Sequence, residues 1–402
     1  MFIKKGQSMS VAERHETRLM KAGNPGMFSL LRAARFTGRI RRLPRLGWVV
    51  TDPLLAREVL NNERCFDILG KGGAGHMWMQ LLGDELEPLF SGVGHVEFRT
   101  RTRDLFTEKG ALEIVERSQG DYFRSIGERL AAGETVDLAE SSRLLSGRII
   151  CDLLGIDLTA EVAGDPDEPY RTVFDAVVRL ARFALGTASP DEIPAELLER
   201  AREIISFITR NVQNSYPAAP PDTILGRCRE LGFSLTMARG LGTLLAVAGT
   251  ETAASAMVRT VAMLHDTGQQ AALLADPTLI EGAVREGLRI TTPVPAIGRH
   301  VRRDTTVGGR RLRAGQRVTL LTYVANNRAG TFDITQDHRR ENRQLWFGGG
   351  RHLCLGAAIA RAEVRRMLAT VTAEGRPWRV VSREAARQVI IPAYHTLRVR
   401  LG

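Results

Sequence analysis

Cys354 is the residue whose setting most invites chemistry. It closes a glycine-rich turn, Phe347-Gly-Gly-Gly-Arg-His-Leu-Cys354-Leu-Gly356, and precedes Ala357-Ala-Ile-Ala-Arg-Ala-Glu-Val364, which reads as a helix. A cysteine at a helix N-terminus meets the positive end of the dipole and unpaired backbone N–H groups. Both favour the thiolate, the form that ligates metals. Glycines in the turn let the backbone pass close to a flat group. Cys65, Cys151 and Cys228 lack such company and read as inert small side chains. Three other constellations stand out. His95 and Arg99 are spaced i, i+4, so on a helix they share a face and offer donors to an anion. Ala248-Gly-Thr-Glu251-Thr252 sits in the middle of an apolar stretch, 233–267. Gly and Thr weaken a helix interior, so a wall shaved to Ala248 and Gly249 suggests room for a flat ligand, with Glu251 to relay protons and Thr252 to present a hydroxyl. Close helix packing at Gly249 is the competing explanation. Glu286 and Arg289 are an i, i+3 charge pair, of little value if solvated.

The elements that must position these groups are mostly helical. Residues 1–30 read as a polar lead-in. Gly47 to Pro53 reads as a short strand whose Asp52-Pro53 opens a helix through Asn61. Residues 67–94, with Gly70, Gly72, Gly73, Gly75 and Met77-Trp-Met79, read as a long irregular loop, Trp78 either covering a ligand or packing on the core. Residues 110–210 carry helical periodicity, with Gly155 a plausible stop and Pro190, Pro194 and the cluster from Pro217 to Pro221 as punctuation. Residues 281–289 read as another helix, and Val301 to Leu321 as the only clear β-rich part.

Bulk properties exclude several classes. The 402 residues are 44% hydrophobic and 25% charged, values of a globular chain. Four widely spaced cysteines make no disulfide framework and fit a reducing compartment. The N-terminus has no signal-like apolar run, and no run of about 18 apolar residues occurs, so a cytoplasmic protein without a membrane anchor is expected. The net charge is +11, but the 56 Lys and Arg are dispersed. Their densest patch, from Arg32 to Arg45, has only Phe36 to stack on a base, which speaks against nucleic acid. A basic face that steers an acidic protein is the better use of the charge.

The motifs together resemble the cytochrome P450 family. Its haem-binding loop, F-x-x-G-x-R/H-x-C-x-G, is matched by Phe347, Gly350, His352, Cys354 and Gly356. Its H-x-x-x-R pair is matched by His95 and Arg99, and its A-G-x-D/E-T segment by Ala248, Gly249, Glu251 and Thr252. Its E-x-x-R is matched by Glu286 and Arg289, and its later arginine by Arg299. The resemblance covers at least residues 47–402. It implies a mainly α, single-domain cytochrome P450 fold with a small β region over 31–402. It also implies heme b (iron protoporphyrin IX) between the Ala248–Thr252 helix and the Cys354 loop. Cys354 would ligate the iron, and His95, Arg99, Arg299 and His352 would hold the propionates. Glu251 and Thr252 would deliver protons during O2 activation, and Glu286–Arg289 would be a buried structural pair. Val294 to Ile297, the 170–215 roof and Ile391-Pro-Ala-Tyr394 would shape the pocket. The implied activity is monooxygenation of a small organic substrate, by hydroxylation or epoxidation, in secondary metabolism, with electrons from a separate ferredoxin and ferredoxin reductase. The alternatives are oxidative coupling, cyclisation or peroxide-driven oxidation on the same haem-thiolate, or a non-catalytic haem-binding protein. One departure is visible. Residues 325–333 lack the family's Asp-Pro, and Gln336 stands near the place of an arginine that joins the E-x-x-R network, with Arg339, Arg340 and Arg343 close by.

Overall fold

The computed structural model describes residues 10–44, 46–158, 164–186, 193–336 and 345–402. Arg45, Pro190, Arg339, Arg340 and Arg343 lie outside the described residues.

The expected lead-in is, from residue 11 onward, two packed helices, α1 (Val11–Gly23) and α2 (Pro25–Ala34). Ser10 and Glu13 form a reciprocal capping box, and Asn24 caps α2 ahead of Pro25. Ala12, Glu16, Leu19, Met20 and Gly23 make one buried stripe on α1. The cap signature is present in the sequence; the polar composition around it hides the stripe.

Strand β1 (Ile40–Leu43) pairs antiparallel with β2 (Gly47–Val50), and α3 (Pro53–Asn61) follows with Asp52 accepting from the Leu54 and Leu55 amides. After β3 (Phe66–Asp67) the expected long loop is instead broken helix: α4 (Ala74–Leu82), α5 (Glu87–Phe90) and α6 (Gly92–Arg101). Met77 and Leu81, one turn apart on α4, are buried, and Trp78 packs half-buried against the main core. Of the glycines that read as loop, Gly70, Gly72 and Gly73 precede the helix and Gly75 lies in its first turn; a Cβ on Gly73 would lie 2.3 Å from the Ile68 carbonyl oxygen.

The body is α7 (Glu108–Ala131), β4 (Val136–Asp137), α8 (Leu138–Leu154), α9 (Glu168–Gly186), α10 (Ala195–Ser215) and α11 (Ile224–Glu230). Gly155 ends α8 in the left-handed conformation (φ 81°). The expected long helix over 233–267 is two, α12 (Leu235–Gly249) and α13 (Glu251–Asp266), interrupted at Thr250. Thr250 and Thr252 each turn a hydroxyl back onto the carbonyl four residues earlier, both at 3.0 Å, a contact that bends helices. By length and composition the Leu235–Asp266 span passes for a membrane helix, yet it is mostly buried inside the protein. Its apolarity serves the core: Met257, Val258, Val261 and Leu264 are all buried in the largest apolar cluster.

Next come α14 (Gln270–Ala275), α15 (Ile280–Thr291), β5 (Ile297–Val301), β6 (Thr305–Val307), β7 (Arg310–Leu312), β8 (Arg317–Leu320) and α16 (Thr322–Asn327). The chain closes with α17 (Ala357–Thr372), β9 (Trp378–Ala385) and β10 (Tyr394–Leu401). One sheet has the order β1-β2-β8-β5-β3, parallel only between β2 and β8; β4-β10-β9 and β6-β7 form two smaller ones. The 301–321 region is thus not the only β structure. The C-terminal hairpin was readable in the alternation of Leu397, Val399 and Leu401, buried, with Arg398 and Arg400, exposed.

Arg289 ties α15 to the divergent segment. It meets Glu286 at 2.8 and 2.6 Å, and donates to the carbonyls of Asn326 at 2.9 Å, Thr331 at 3.0 Å and Gly330 at 3.3 Å. Both side chains of the pair are at most 4% exposed. Asp333 N–H adds a bond to Glu286 at 3.3 Å. Backbone carbonyls thus take donors of Arg289, while Gln336 is held by its own backbone, its carbonyl accepting from Arg285.

Candidate functional site

The Cys354 loop is a short path of tight turns. Leu345–Phe347 and Gly350–His352 are single 3-10 turns, and the Cys354 N–H closes the loop onto the Phe347 carbonyl at 2.9 Å. Gly350 has φ +65°, and a Cβ there would lie 2.1 Å from the Leu60 carbonyl oxygen, so only glycine fits. A Cβ on Gly356 would meet nothing within 4 Å, which marks open space beside the thiol. Cys354 has protein atoms all around it, yet its side chain keeps free surface.

Burial pushes the Cys354 thiol up, against a hydrogen bond from the Gly356 N–H and the charges of Arg99 and Arg361. The sequence-based expectation of a lowered thiol is therefore overturned for the protein alone. Desolvation outweighs the helix end, because Cys354 lies two residues before the α17 N-cap, Gly356. Arg361, one face of α17 further on and stacked over the Phe347 ring at 5.8 Å, was missed in the sequence. No spacing marks it, since Cys354 lies before the helix that carries Arg361.

A group of cations and imidazoles gathers beside the loop. On α6, His95 is buried, and Arg99 donates to the Leu353 carbonyl at 2.9 Å. The His95 and His352 rings lie 4.9 Å apart. Burial, helped by nearby arginines, holds both neutral: His95 is pushed down to about 4 and His352 to about 3. Arg299, on β5, is 6% exposed and pushed down to about 10 by burial, with only Asp67 opposing. It donates to the Gly298 carbonyl at 2.9 Å. Among the described residues neither Arg99 nor Arg299 enters an ion pair. Buried cations without counter-charge are costly, so this donor set suits an anion brought from outside. Arg351 is different. It pairs with Glu63 at 3.3 Å, while its neighbour His352 faces His95.

The α12–α13 junction supplies another wall. Ala248 and Gly249 have free surface although Val247, Thr250 and Glu251 around them are buried. The Cβ direction of Gly249 points at Ile150 on α8, 3.2 Å away, so this glycine also serves helix packing. Glu251 is 5% exposed, accepts no hydrogen bond among the described residues, and is pushed up to about 8 by burial, with Arg182 opposing. Burial thus favours its protonated form. Thr252 is half-buried. The helix α13 packs against α17, which the Cys354 loop leads into. Glu286 and Arg289 stand apart from this group, in the α15 network described above.

These residues fit a haem. Among the described residues no cluster of three or more His, Cys, Asp or Glu forms a metal site, so a metal at Cys354 must bring its other ligands with it. Haem does so, and its two propionates match the uncompensated arginines and neutral histidines.

The family model described as Cytochrome P450 matches residues 234–373. Cytochrome P450 105A3 of Streptomyces carbophilus is 30% identical over 344 residues, 81% of this chain and 78% of that protein. Pentalenic acid synthase of Streptomyces avermitilis is 28% identical over 360 residues, 86% of each chain. Among solved structures, a mutant of P450 EryK in complex with erythromycin B aligns with a TM-score of 0.75 at 20% identity over 98% of both chains. With relatives of this similarity beside a cysteine loop and donor set that fit a haem, the chain belongs to the cytochrome P450 family of bacterial haem-thiolate monooxygenases.

Proposed function

We propose that this enzyme inserts one oxygen atom of O2 into a C–H or C=C bond of a small organic substrate, using heme b and electrons from a separate ferredoxin and its reductase. The overall balance takes substrate, O2, two electrons and two protons to the oxygenated product and water. The observation that carries the reading is Glu251, buried and accepting no hydrogen bond among the described residues, next to the half-buried Thr252 and to the free surface of Ala248 and Gly249.

A bound thiolate-ligated haem supplies the activation of O2. Cys354 serves as its ligand, with the Gly356 N–H, Arg99 and Arg361 offsetting the thiolate's charge. His95, Arg99, Arg299 and His352 hold the carboxylates. Ala248, Gly249, Phe347, Gly350 and Gly356 shape the walls. Glu251 holds a proton that its burial keeps in place, and Thr252 passes it on through its hydroxyl. Glu286 and Arg289 hold the scaffold. The catalytic unit begins at α1 instead of residue 31, since that helix shares the core. Free cysteines support a reducing, cytoplasmic location. Pentalenic acid synthase among the relatives supports a role in secondary metabolism.

The outer face of α6 supports the electron-transfer part. Val93 and Val96 are exposed there, with Leu112 on α7 and the exposed Arg101, Arg103 and Lys109 nearby in the chain. An apolar ridge rimmed by charges of both signs, Arg101 and Arg103 among Glu97, Asp104, Glu108 and the Lys109–Glu113 pair, suits contact with a protein donor. The test of the proton path is Thr252→Ala. It is expected to keep substrate binding and O2 consumption while product per O2 falls about tenfold. Unchanged coupling removes Thr252 from the path.

A further inference from the structure

The N-terminal helix is tied to α13 through one buried charge pair. Arg259 lies on α13 at 1% exposure, and its guanidinium pairs with Glu16 of α1, itself 5% exposed. The same guanidinium donates to the Pro392 carbonyl at 3.3 Å, and Ser255 donates to that oxygen at 2.6 Å. Thr252, Ser255 and Arg259 are spaced i, i+3, i+7 and form one stripe along α13. Ser255 follows Thr252 by about 4.5 Å of helix rise. The turn between β9 and β10 is thereby set one helical turn from Thr252.

Other anchors of that turn come from the same two helices. The Val389 N–H donates to the Gly23 carbonyl, the last residue of α1, at 3.1 Å. Tyr394 hydrogen-bonds Arg383, which is gripped by Asp266 at the end of α13 at 2.5 and 2.7 Å. Ile391, Pro392 and Tyr394 are buried and Ala393 is half-exposed. A buried arginine needs its counter-charge, so Arg259 keeps its hold on Pro392 only while Glu16 is in place.

We propose that Glu16, Arg259 and Ser255 are positioning residues for substrate selection: they fix the 389–394 turn as the end wall of the pocket. The inference rests on the proposed function, in which the free surface at Ala248, Gly249 and Thr252 faces the substrate. It makes α1 part of the specificity apparatus, although no residue of that helix need touch the substrate.

The test uses the full-length protein and the variants Ser255→Ala, which removes one hydrogen bond, and Glu16→Gln, which removes one charge. Amide hydrogen exchange on the ligand-free protein is expected to rise about tenfold within 389–394 in both variants, with α15 unchanged, as the loss of one buried hydrogen bond implies. Titration of the haem protein with imidazole, which needs only the iron, is expected to give the wild-type Kd within a factor of about two. Titration with ketoconazole, which fills the pocket, is expected to give a Kd weaker by about fivefold or more. Unaltered exchange in 389–394 overturns the clamp. Equal shifts for both azoles, or none for either, overturn its role in selection. A wild-type protein that gives no azole spectrum refutes the haem reading itself, while the exchange arm still decides the clamp.

Discussion

Replacing Arg289 by methionine lowers the stability of the fold by about 3–5 kcal/mol, the cost of leaving a buried partner charge uncompensated. The change strands the Glu286 carboxylate and removes the donor from the carbonyls of Asn326, Gly330 and Thr331. Against a typical total of about 5–15 kcal/mol this is a large share. The effect should appear as a lower midpoint in chemical unfolding and a lower yield of haem-loaded protein. Glu286→Gln keeps a hydrogen-bonding side chain at the same place and should cost less. A loss for Arg289→Met below about 1 kcal/mol, the value of an exposed pair, contradicts the network.

The second large effect is a pH dependence. Glu251 has a folded value of about 8 against an ordinary 4.5. Below 4.5 the carboxyl is protonated in both folded and unfolded chains and contributes no slope. Between 4.5 and 8 the unfolded chain releases the proton and the folded one keeps it, so stability falls as pH rises, by about 1.4 kcal/mol for each pH unit. Above 8 both forms are ionised and the loss is complete, about 5 kcal/mol over the window. Glu251→Gln removes that loss, so the variant gains on the wild type as pH is raised from 5 to 9. A residual slope from Glu363 stays, since burial pushes that group to about 7 despite a hydrogen bond from Gln119. Unfolding free energies of both proteins across this range give the answer; parallel pH curves would show that Glu251 is not held protonated. The same titration bears on turnover. Coupling in the wild type should fall above pH 8, where the proton is no longer held, and Glu251→Gln should lose that dependence.

What the sequence shows of this protein depends on the range of the interactions involved. His95 and Arg99 are one helical turn apart, and Glu286 and Arg289 nearly so, so spacing alone puts each pair together. The Cys354 turn is legible because its glycines answer a local demand, as at Gly350. The helix α1 was overlooked although Ser10 and Glu13 announce its start, because its burial depends on partners far along the chain. Arg259 shows the limit most plainly: its partner Glu16 lies 243 positions away, and no periodicity connects them. The thiol of Cys354 shows the same limit in energetic form. A helix end is visible in the sequence, but the depth of burial that outweighs it is set by the assembled fold. The bend at Thr250 is intermediate; hydroxyls at 250 and 252 were visible, their turn onto the Ala246 and Ala248 carbonyls was not.

Every role assigned above depends on Cys354 as the thiolate ligand of a haem, and one spectrum tests this most directly. The protein, supplied with haem, is reduced under carbon monoxide and its Soret band recorded beside that of Cys354→Ala. The wild type is expected to show the strongly red-shifted band of a thiolate-ligated haem, and the variant to lack it. A protein that takes up no haem, or a red-shifted band that survives in Cys354→Ala, would contradict the central claim.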